Sequence, residues 1–255
     1  GKGSVWQETK FGFRYLRERR GLFGLLVFFA GWNVVLGFFS VLMIPLLLSI
    51  AGEAIVGAAA SIGAGGLIVG GLIMSASGGP KRRVRALVAT SMATGVAIAL
   101  MGIRPWLPLV VAAIFSVNHA LPIASGSSQA IWQAKVDLDV QGRVFALRGM
   151  IANIMTPVAF LLAGPLIDGF FEPALREGGA LAVSVGGVVG IGAGRGVGFL
   201  LVLVGALGLL ITSLACMYAP IRDVEDDLPD VITEANPPTE EQPWVEPAAE
   251  LVGAA

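Results

Sequence analysis

The sequence predicts an all-α integral membrane protein with six transmembrane helices, on three observations. Six long apolar stretches separated by short charged segments fill residues 21–219. The 255-residue chain is 55% hydrophobic and only 14% charged, a balance that would drive a soluble domain to aggregate. Its basic residues also alternate from loop to loop. A bilayer core about 30 Å thick accepts about 20 apolar residues as a helix, because every backbone N–H and C=O is then bonded internally. The expected spans are 22–48, 53–75, 86–103, 107–131, 147–170 and 197–219.

Charge placement orients them. Lys2, Lys10, Arg14, Arg17, Arg19, Arg20, Lys81, Arg82, Arg83, Arg85, Lys135, Arg143, Arg148 and Arg222 fall on one side of the alternating loops. These are fourteen of the seventeen basic residues; Arg104, Arg176 and Arg195 fall on the other side. The excess of Lys and Arg marks the cytoplasmic face, which puts both ends of the chain in the cytoplasm and the spans in the plasma (inner) membrane.

Residues 1–20 form a lead-in to the first span, with Phe11, Phe13, Tyr15 and Leu16 set among its charges. Two readings stand: an amphipathic segment lying on the membrane surface, or a solvated connector. The chain opens on Gly1 with no signal peptide, as the middle of a longer protein would. The second span is dense in small residues from Gly57 to Gly71 and includes Gly66-x-x-x-Gly70, a spacing that lets helix backbones approach closely. Close packing is the simpler reading and a smooth sliding face the functional one. Pro45, Pro108, Pro122 and Pro157 lie in or near the spans, where neighbouring helices can satisfy freed carbonyls.

Polarity differs between spans. The first carries Asn33, the fourth Asn118 and His119, the fifth Asn153 and Thr156, whereas the third and sixth carry no charge and little strong polarity. Polar side chains in hydrocarbon face other helices or a cavity, so spans one, four and five are expected inside and three and six at the periphery. The order repeats every three helices, with Asn33 and Asn118 at similar depth, as in transporters built from inverted three-helix units.

From residue 220 the composition changes. Residues 220–255 hold ten of the eighteen acidic residues and no apolar periodicity, and a disordered acidic cytoplasmic tail is expected. Cys216 is the only cysteine, which excludes disulfides within the chain and thiolate metal sites. The glycines of Gly190–Gly198 follow no strand and precede no Lys-Ser or Lys-Thr pair, so they do not form a phosphate loop. No catalytic motif is present. Neither an enzyme, nor a cofactor or metal site, nor a nucleic-acid partner is expected.

Two loops are more specific. Ser75–Arg85, SASGGPKRRVR, resembles the short basic loop between helices eight and nine of the major facilitator superfamily. Gln133–Gly169 is similar to the matching stretch of that superfamily's drug-exporter branch, which includes macrolide-efflux and enterobactin-exporter-like proteins. GRVFALR at Gly142–Arg148 and AGPLID at Ala163–Asp168 carry most of that match, and Gly12–Gly21 resembles the entry to helix seven. One departure matters: Gly71 is followed by Ser75 and Ala76 where the family's loop carries an acidic and then a basic residue, so the charge latch proposed for that loop does not transfer.

The resemblance implies that the six helices are the C-terminal half of a major facilitator fold, helices seven to twelve. Residues 1–20 would link it to an N-terminal six-helix half. The implied function is secondary active, proton-coupled export of a small amphiphilic molecule of drug, macrolide or siderophore type, by alternating access. The alternative is a non-transporting membrane scaffold, or the membrane subunit of an ATP-driven complex.

Candidate cavity residues are Asn33, Asn118, His119, Asn153 and Thr156, within a Phe-rich surround of Phe28, Phe29, Phe38, Phe39 and Phe115 that could equally face lipid. Proton coupling needs a titratable group open to each side in turn, and the candidates are His119, Asp168 and Glu53. Helix capping and an external salt contact account equally for the two acids, and a neutral hydrogen-bonding role for the histidine. Asp137, Asp139, Arg143 and Arg148 are candidates for an ion-pair cluster closing the cytoplasmic side. Exposed pairs worth about 0–1 kcal/mol each suit a gate that must open.

Overall fold

The computed structural model describes residues 5–231, with side chains from residue 10 onward. Among these residues the structure is helical. The six expected spans correspond to α2 (Arg20–Ile50), α3 (Glu53–Ser77), α4 (Arg83–Ile103), α5 (Leu107–Lys135), α6 (Leu138–Leu166) and α9 (Arg195–Met217), all long and apolar enough to cross a bilayer. A further helix, α1 (Val5–Glu18), precedes them. A π-helical turn (Ile167–Phe171) and α7 (Glu172–Ala174) continue α6, α8 (Gly186–Val189) lies in the α7–α9 connection, and α10 (Ala219–Arg222) and α11 (Val224–Asp227) follow α9.

Local chemistry sets the helix ends. Gly78, in the left-handed region at φ +66°, closes α3, and Pro80 follows two residues later, where a helix cannot continue. Pro108 at the start of α5 occupies a position whose N–H has no intrahelical acceptor. The fifth helix begins at Leu138, well before the expected 147, because nothing in Leu138–Gly149 breaks a helix and about two and a half polar turns can stand clear of the apolar span.

Helix neighbours follow a simple order. The helix α3 packs on α5, α5 on α4, α4 on α9, α9 on α2, and α2 on α6. Exchanging α2 with α5, α3 with α6 and α4 with α9 maps this order onto itself. The bundle is therefore two equivalent three-helix units. With three spans in each, the second unit must enter the membrane from the opposite side to the first.

Small residues bring the units together. On α3, Gly66 and Gly70 lie against the α5 backbone at Phe115 and His119, leaving no room for a side chain. Gly66-x-x-x-Gly70 is thus a packing seam. A second seam joins α4 to α9: Gly102 meets Gly198, and Gly205 meets Gly95 and Ala99, backbone against backbone.

This seam corrects one expectation. Within the six-helix unit the third and sixth spans are not peripheral: 39% of the most apolar stretch is buried in each of α2, α4 and α9, against 22% in α3 and 11% in α6. Backbone contact between small residues, not side-chain polarity, selected the core pair. The open faces are instead those of α3 and α6, which present Ile68, Leu72, Phe160 and Leu161. Such a continuous apolar surface requires lipid or another protein.

At the end carrying the basic loops, α1 docks on the start of α6. Leu16 is fully buried and Tyr15 nearly so, while Phe13 meets Phe23 of α2 edge to face at 5.6 Å. The expected disordered tail is also corrected for its first part. Residues 219–231 return to the bundle through α10 and α11, with Ile221 and Val224 buried, because the basic α3–α4 loop offers partners for their acids. The remainder of the tail, 232–255, lies outside the described residues.

Candidate functional site

The first unit supplies α2 and α4, the second α5, and between them lies a pocket of about 150 Å³. Its walls are aromatic and apolar (Phe28, Phe29, Trp32, Leu36, Leu87, Leu121), with polar groups from Asn33, Ser91, Thr94 and Ser125. Asn33 is the only one of the five expected cavity residues that lines it. Its amide donates to the Phe29 carbonyl at 2.7 Å, which leaves the amide oxygen available as an acceptor. Asn118 repeats this bond on α5, donating to the Ile114 carbonyl at 2.8 Å, and lies beside Gly63 of α3. The two asparagines occupy equivalent helices and make equivalent bonds.

The other expected residues are dispersed. His119 stacks parallel to Phe115, ring centroids 6.1 Å apart, and its buried Nδ1 has no hydrogen-bond partner. On α6, Asn153 is exposed, and Thr156 is half-buried beside Gly37 and donates to the Ala152 carbonyl at 3.3 Å. Glu53 is exposed at the first turn of α3, and Asp168 is exposed in the π-helical turn; neither lines the pocket. Of the expected phenylalanines, Phe28 and Phe29 line the pocket, whereas Phe38 and Phe39 are buried in the core away from it.

Sequence reasoning missed Ser91 and Thr94 because α4 was read as weakly polar. The signal was Thr90, Ser91 and Thr94 at helical spacing, which puts hydroxyls on one face. Trp32 was missed as well. Its indole N–H donates to Thr212 of α9 at 3.1 Å, fixing one wall of the pocket.

The expected ion-pair cluster does not form. Asp137 instead takes partners from α1, accepting from the Tyr15 hydroxyl at 2.9 Å and from Arg19 at 3.2 Å, while its own N–H donates to Tyr15 at 3.2 Å. Burial pushes the Tyr15 phenol above its usual range; the Asp137 N–H opposes that shift and the Asp137 carboxylate adds to it. Asp139 is exposed, and Arg143 lies over the Phe11 ring at 5.0 Å. Arg148 turns inward, donating to Ser128 at 3.0 Å. The reason is positional: α1 reaches Asp137 first, and Arg148 stands about three turns, roughly 16 Å, further along α6.

A second charged arrangement had no sequence signal beyond opposite charges. The Glu225 carboxylate accepts from the backbone N–H groups of Arg83 and Val84, each at 3.0 Å, capping α4. Arg82 pairs with Asp226 at 3.0 Å. Lys135 is almost fully buried; its ammonium donates to the carbonyls of Glu225 and Leu228 and pairs with Asp230 at 3.0 Å. The segment after α9 therefore ties the α3–α4 loop to the end of α5. At the opposite end of α9, Glu172 accepts from Gly194 at 2.6 Å and Gly196 at 3.0 Å, a second carboxylate cap.

A wider groove of about 610 Å³ runs along α2, α6 and α9, lined by apolar residues such as Val27, Val34, Met155, Ile211 and Leu214. Val27 and Leu214 are more than half exposed there, so the groove opens sideways from the bundle.

No family model matches the chain, and no solved structure matches it. Curated relatives do. The chain is 28% identical over 109 residues to macrolide efflux protein A of Streptococcus pyogenes, a match covering 41% of this chain and 26% of that protein. It is 28% identical over 99 residues to macrolide efflux protein A of Enterococcus faecalis, covering 37% and 30%. It is 34% identical over 110 residues to the MFS-type transporter YvqJ of Bacillus subtilis (strain 168), covering 43% and 24%. The matched stretch is thus a quarter to under a third of each relative's length. Two of these relatives are named as macrolide efflux proteins and the third as an uncharacterized MFS-type transporter. In sequence, over about two fifths of its length, this chain is similar to macrolide efflux proteins and an MFS-type transporter, and it carries six helices long and apolar enough to cross a membrane.

Proposed function

We propose that this chain is the C-terminal six-helix half of a secondary transporter that exports a small amphiphilic molecule by alternating access. The observation that carries the reading is the paired three-helix architecture with an aromatic and polar pocket between its units, Asn33 in its wall. Inverted three-helix repeats with a site at their interface suit a bundle that rocks as one body. The open apolar faces of α3 and α6 would receive an N-terminal half, with residues 1–20 as the connection. Both ends of this segment would lie in the cytoplasm, next to the basic loops.

Proton antiport is the proposed energy source. His119 is the strongest coupling candidate, because it is the one titratable side chain of the three set inside the bundle, its Nδ1 unpartnered among the described residues; Asp168 and Glu53, both exposed, are the weaker ones. Asp137, bridging α1 to α6, is proposed to act in cytoplasmic closure through Tyr15 and Arg19.

The test is transport by the whole gene product in proteoliposomes of known orientation, with an imposed pH gradient and a fluorescent amphiphilic dye. Gradient-driven movement out of the cytoplasmic side supports the proposal. Dye movement in the other direction would make the protein an importer. No movement without an added ATPase would support a subunit of an ATP-driven complex instead.

A further inference from the structure

Arg148, on a membrane-spanning helix, has no counter-ion among the described residues. It lies on α6, and its one hydrogen bond among the described residues is to the hydroxyl of Ser128, itself buried. Three rings surround the guanidinium: Trp132 at 4.6 Å, Phe145 at 5.4 Å and Phe29 at 5.9 Å. They contribute from three different helices, α5, α6 and α2.

Other enclosed cations near this end are neutralised, Lys135 by Asp230 and Arg19 by Asp137. Among the described residues no carboxylate does the same for Arg148, whose one hydrogen-bond partner there is Ser128. Ring faces offset part of the cost of a half-buried guanidinium, of whose N–H donors one is bonded within the described residues, to Ser128. Trp132 adds to the imbalance, since its fully buried indole N–H has no acceptor. Ser128 accepts from Arg148, and its own proton remains free to be donated. The neighbourhood is a set of donors that lacks an acceptor. A planar guanidinium presents paired N–H groups that match a carboxylate or phosphate, and in an apolar surround that attraction is screened far less than in water.

Phe29 connects this cation to the pocket. The same ring forms part of the wall beside Asn33 and part of the aromatic group around Arg148. We infer that Arg148 anchors the anionic head group, a carboxylate or phosphate, of an amphiphile whose apolar body lies in the aromatic pocket between α2, α4 and α5. This inference rests on the exporter reading and narrows its substrate class. A cationic amphiphile would meet an uncompensated positive charge, whereas an anionic one supplies the acceptor that Arg148, Trp132 and Ser128 lack.

The test uses the full chain in dodecyl maltoside, a neutral detergent, with three probes sharing one fluorophore and chain: dansylaminoundecanoic acid, its methyl ester and the corresponding primary amine. The acid is expected to bind about tenfold more tightly than the ester, a difference of about 1.4 kcal/mol, with the amine weakest. R148Q should abolish the advantage of the acid while leaving ester binding unchanged, and R148K should retain part of it. Equal binding of acid and ester by the wild-type protein would overturn the inference without reliance on any variant. So would an advantage that persists in R148Q. Displacement of the acid by dioctanoyl phosphatidic acid, at lower concentration than by unlabelled undecanoic acid and only when Arg148 is present, would assign the site to a lipid head group and overturn the substrate assignment. An Arg148-dependent preference for the acid, with no movement of that probe under a pH gradient, would uphold the anion site and sink the exporter reading.

Discussion

Trp32 of α2 and Thr212 of α9 join the two three-helix units through a single bond, indole N–H to hydroxyl at 3.1 Å, and Thr212 passes its own proton to the Gly208 carbonyl at 2.8 Å. Both side chains are buried, Thr212 completely. Interhelical hydrogen bonds of this kind in membrane proteins average about 0.6 kcal/mol, and leaving a buried donor unpaired costs more.

Trp32→Phe and Thr212→Val should therefore differ. The first removes the donor and keeps an aromatic ring, for an expected loss of about 0.5–1 kcal/mol; the second strands the indole N–H and should cost about 1–2 kcal/mol. Unfolding in mixed micelles of increasing dodecyl sulfate measures both. Equal losses would show that the stranded N–H finds another acceptor.

Substitution at Gly70 should separate α3 from α5. A side chain there meets the His119 carbonyl, which cannot move without distorting α5. Gly70→Leu is expected to destabilise the bundle by at least about 1–3 kcal/mol. Gly71→Leu, where a Cβ meets nothing within 4 Å, should be nearly silent and serves as the control. Thermal melts in detergent compare the two directly.

Glu225 and Asp226 are neighbours with unequal consequences. Glu225→Ala uncovers two N–H groups at the start of α4 and should cost about 0.5–2 kcal/mol. Asp226→Ala removes an exposed pair with Arg82 and should cost no more than about 0–1 kcal/mol. Hydrogen exchange at residues 83–86 should accelerate in the first variant only.

Docking of α1 should weaken in strong alkali. The Tyr15 phenol is raised above the ordinary phenol value of about 10, chiefly by burial, so the folded state holds the proton more tightly than the unfolded one. That stability is complete below pH 10 and declines as pH rises from about 10 through the higher folded value. Cysteine-free labelling of α1 or its hydrogen exchange, followed from pH 8 to pH 11, reads the transition. Tyr15→Phe should remove the pH dependence and leave α1 more loosely held throughout, because Asp137 loses its hydroxyl partner.

Transport itself should report on Asn33 and His119. Asn33→Leu removes the pocket's one amide and should slow dye efflux about tenfold with membrane insertion unchanged. His119→Ala should flatten the pH dependence of transport. A rate unaltered by the first, or a pH profile unaltered by the second, removes that residue from the mechanism.

Helix number, the length of the spans and the repeat of polarity every three helices were legible in the sequence, because each depends on local composition read against the thickness of a bilayer. Gly66-x-x-x-Gly70 was legible for the same reason, as a spacing on one helix face. What only the tertiary structure decided is which surfaces meet. The α4–α9 seam depends on glycines of two helices lying at the same height, a relation absent from either helix alone. Asp137 was within sequence reach of Arg143 and Arg148, yet the packing of α1 gave it Tyr15 and Arg19 and left Arg148 among rings. Likewise the acids after α9 read as solvated until their return brought Glu225 to the end of α4 and Asp230 to Lys135. Hydropathy counts what each residue would lose in water, whereas pairing depends on distance across the bundle, and distance is a property of the fold.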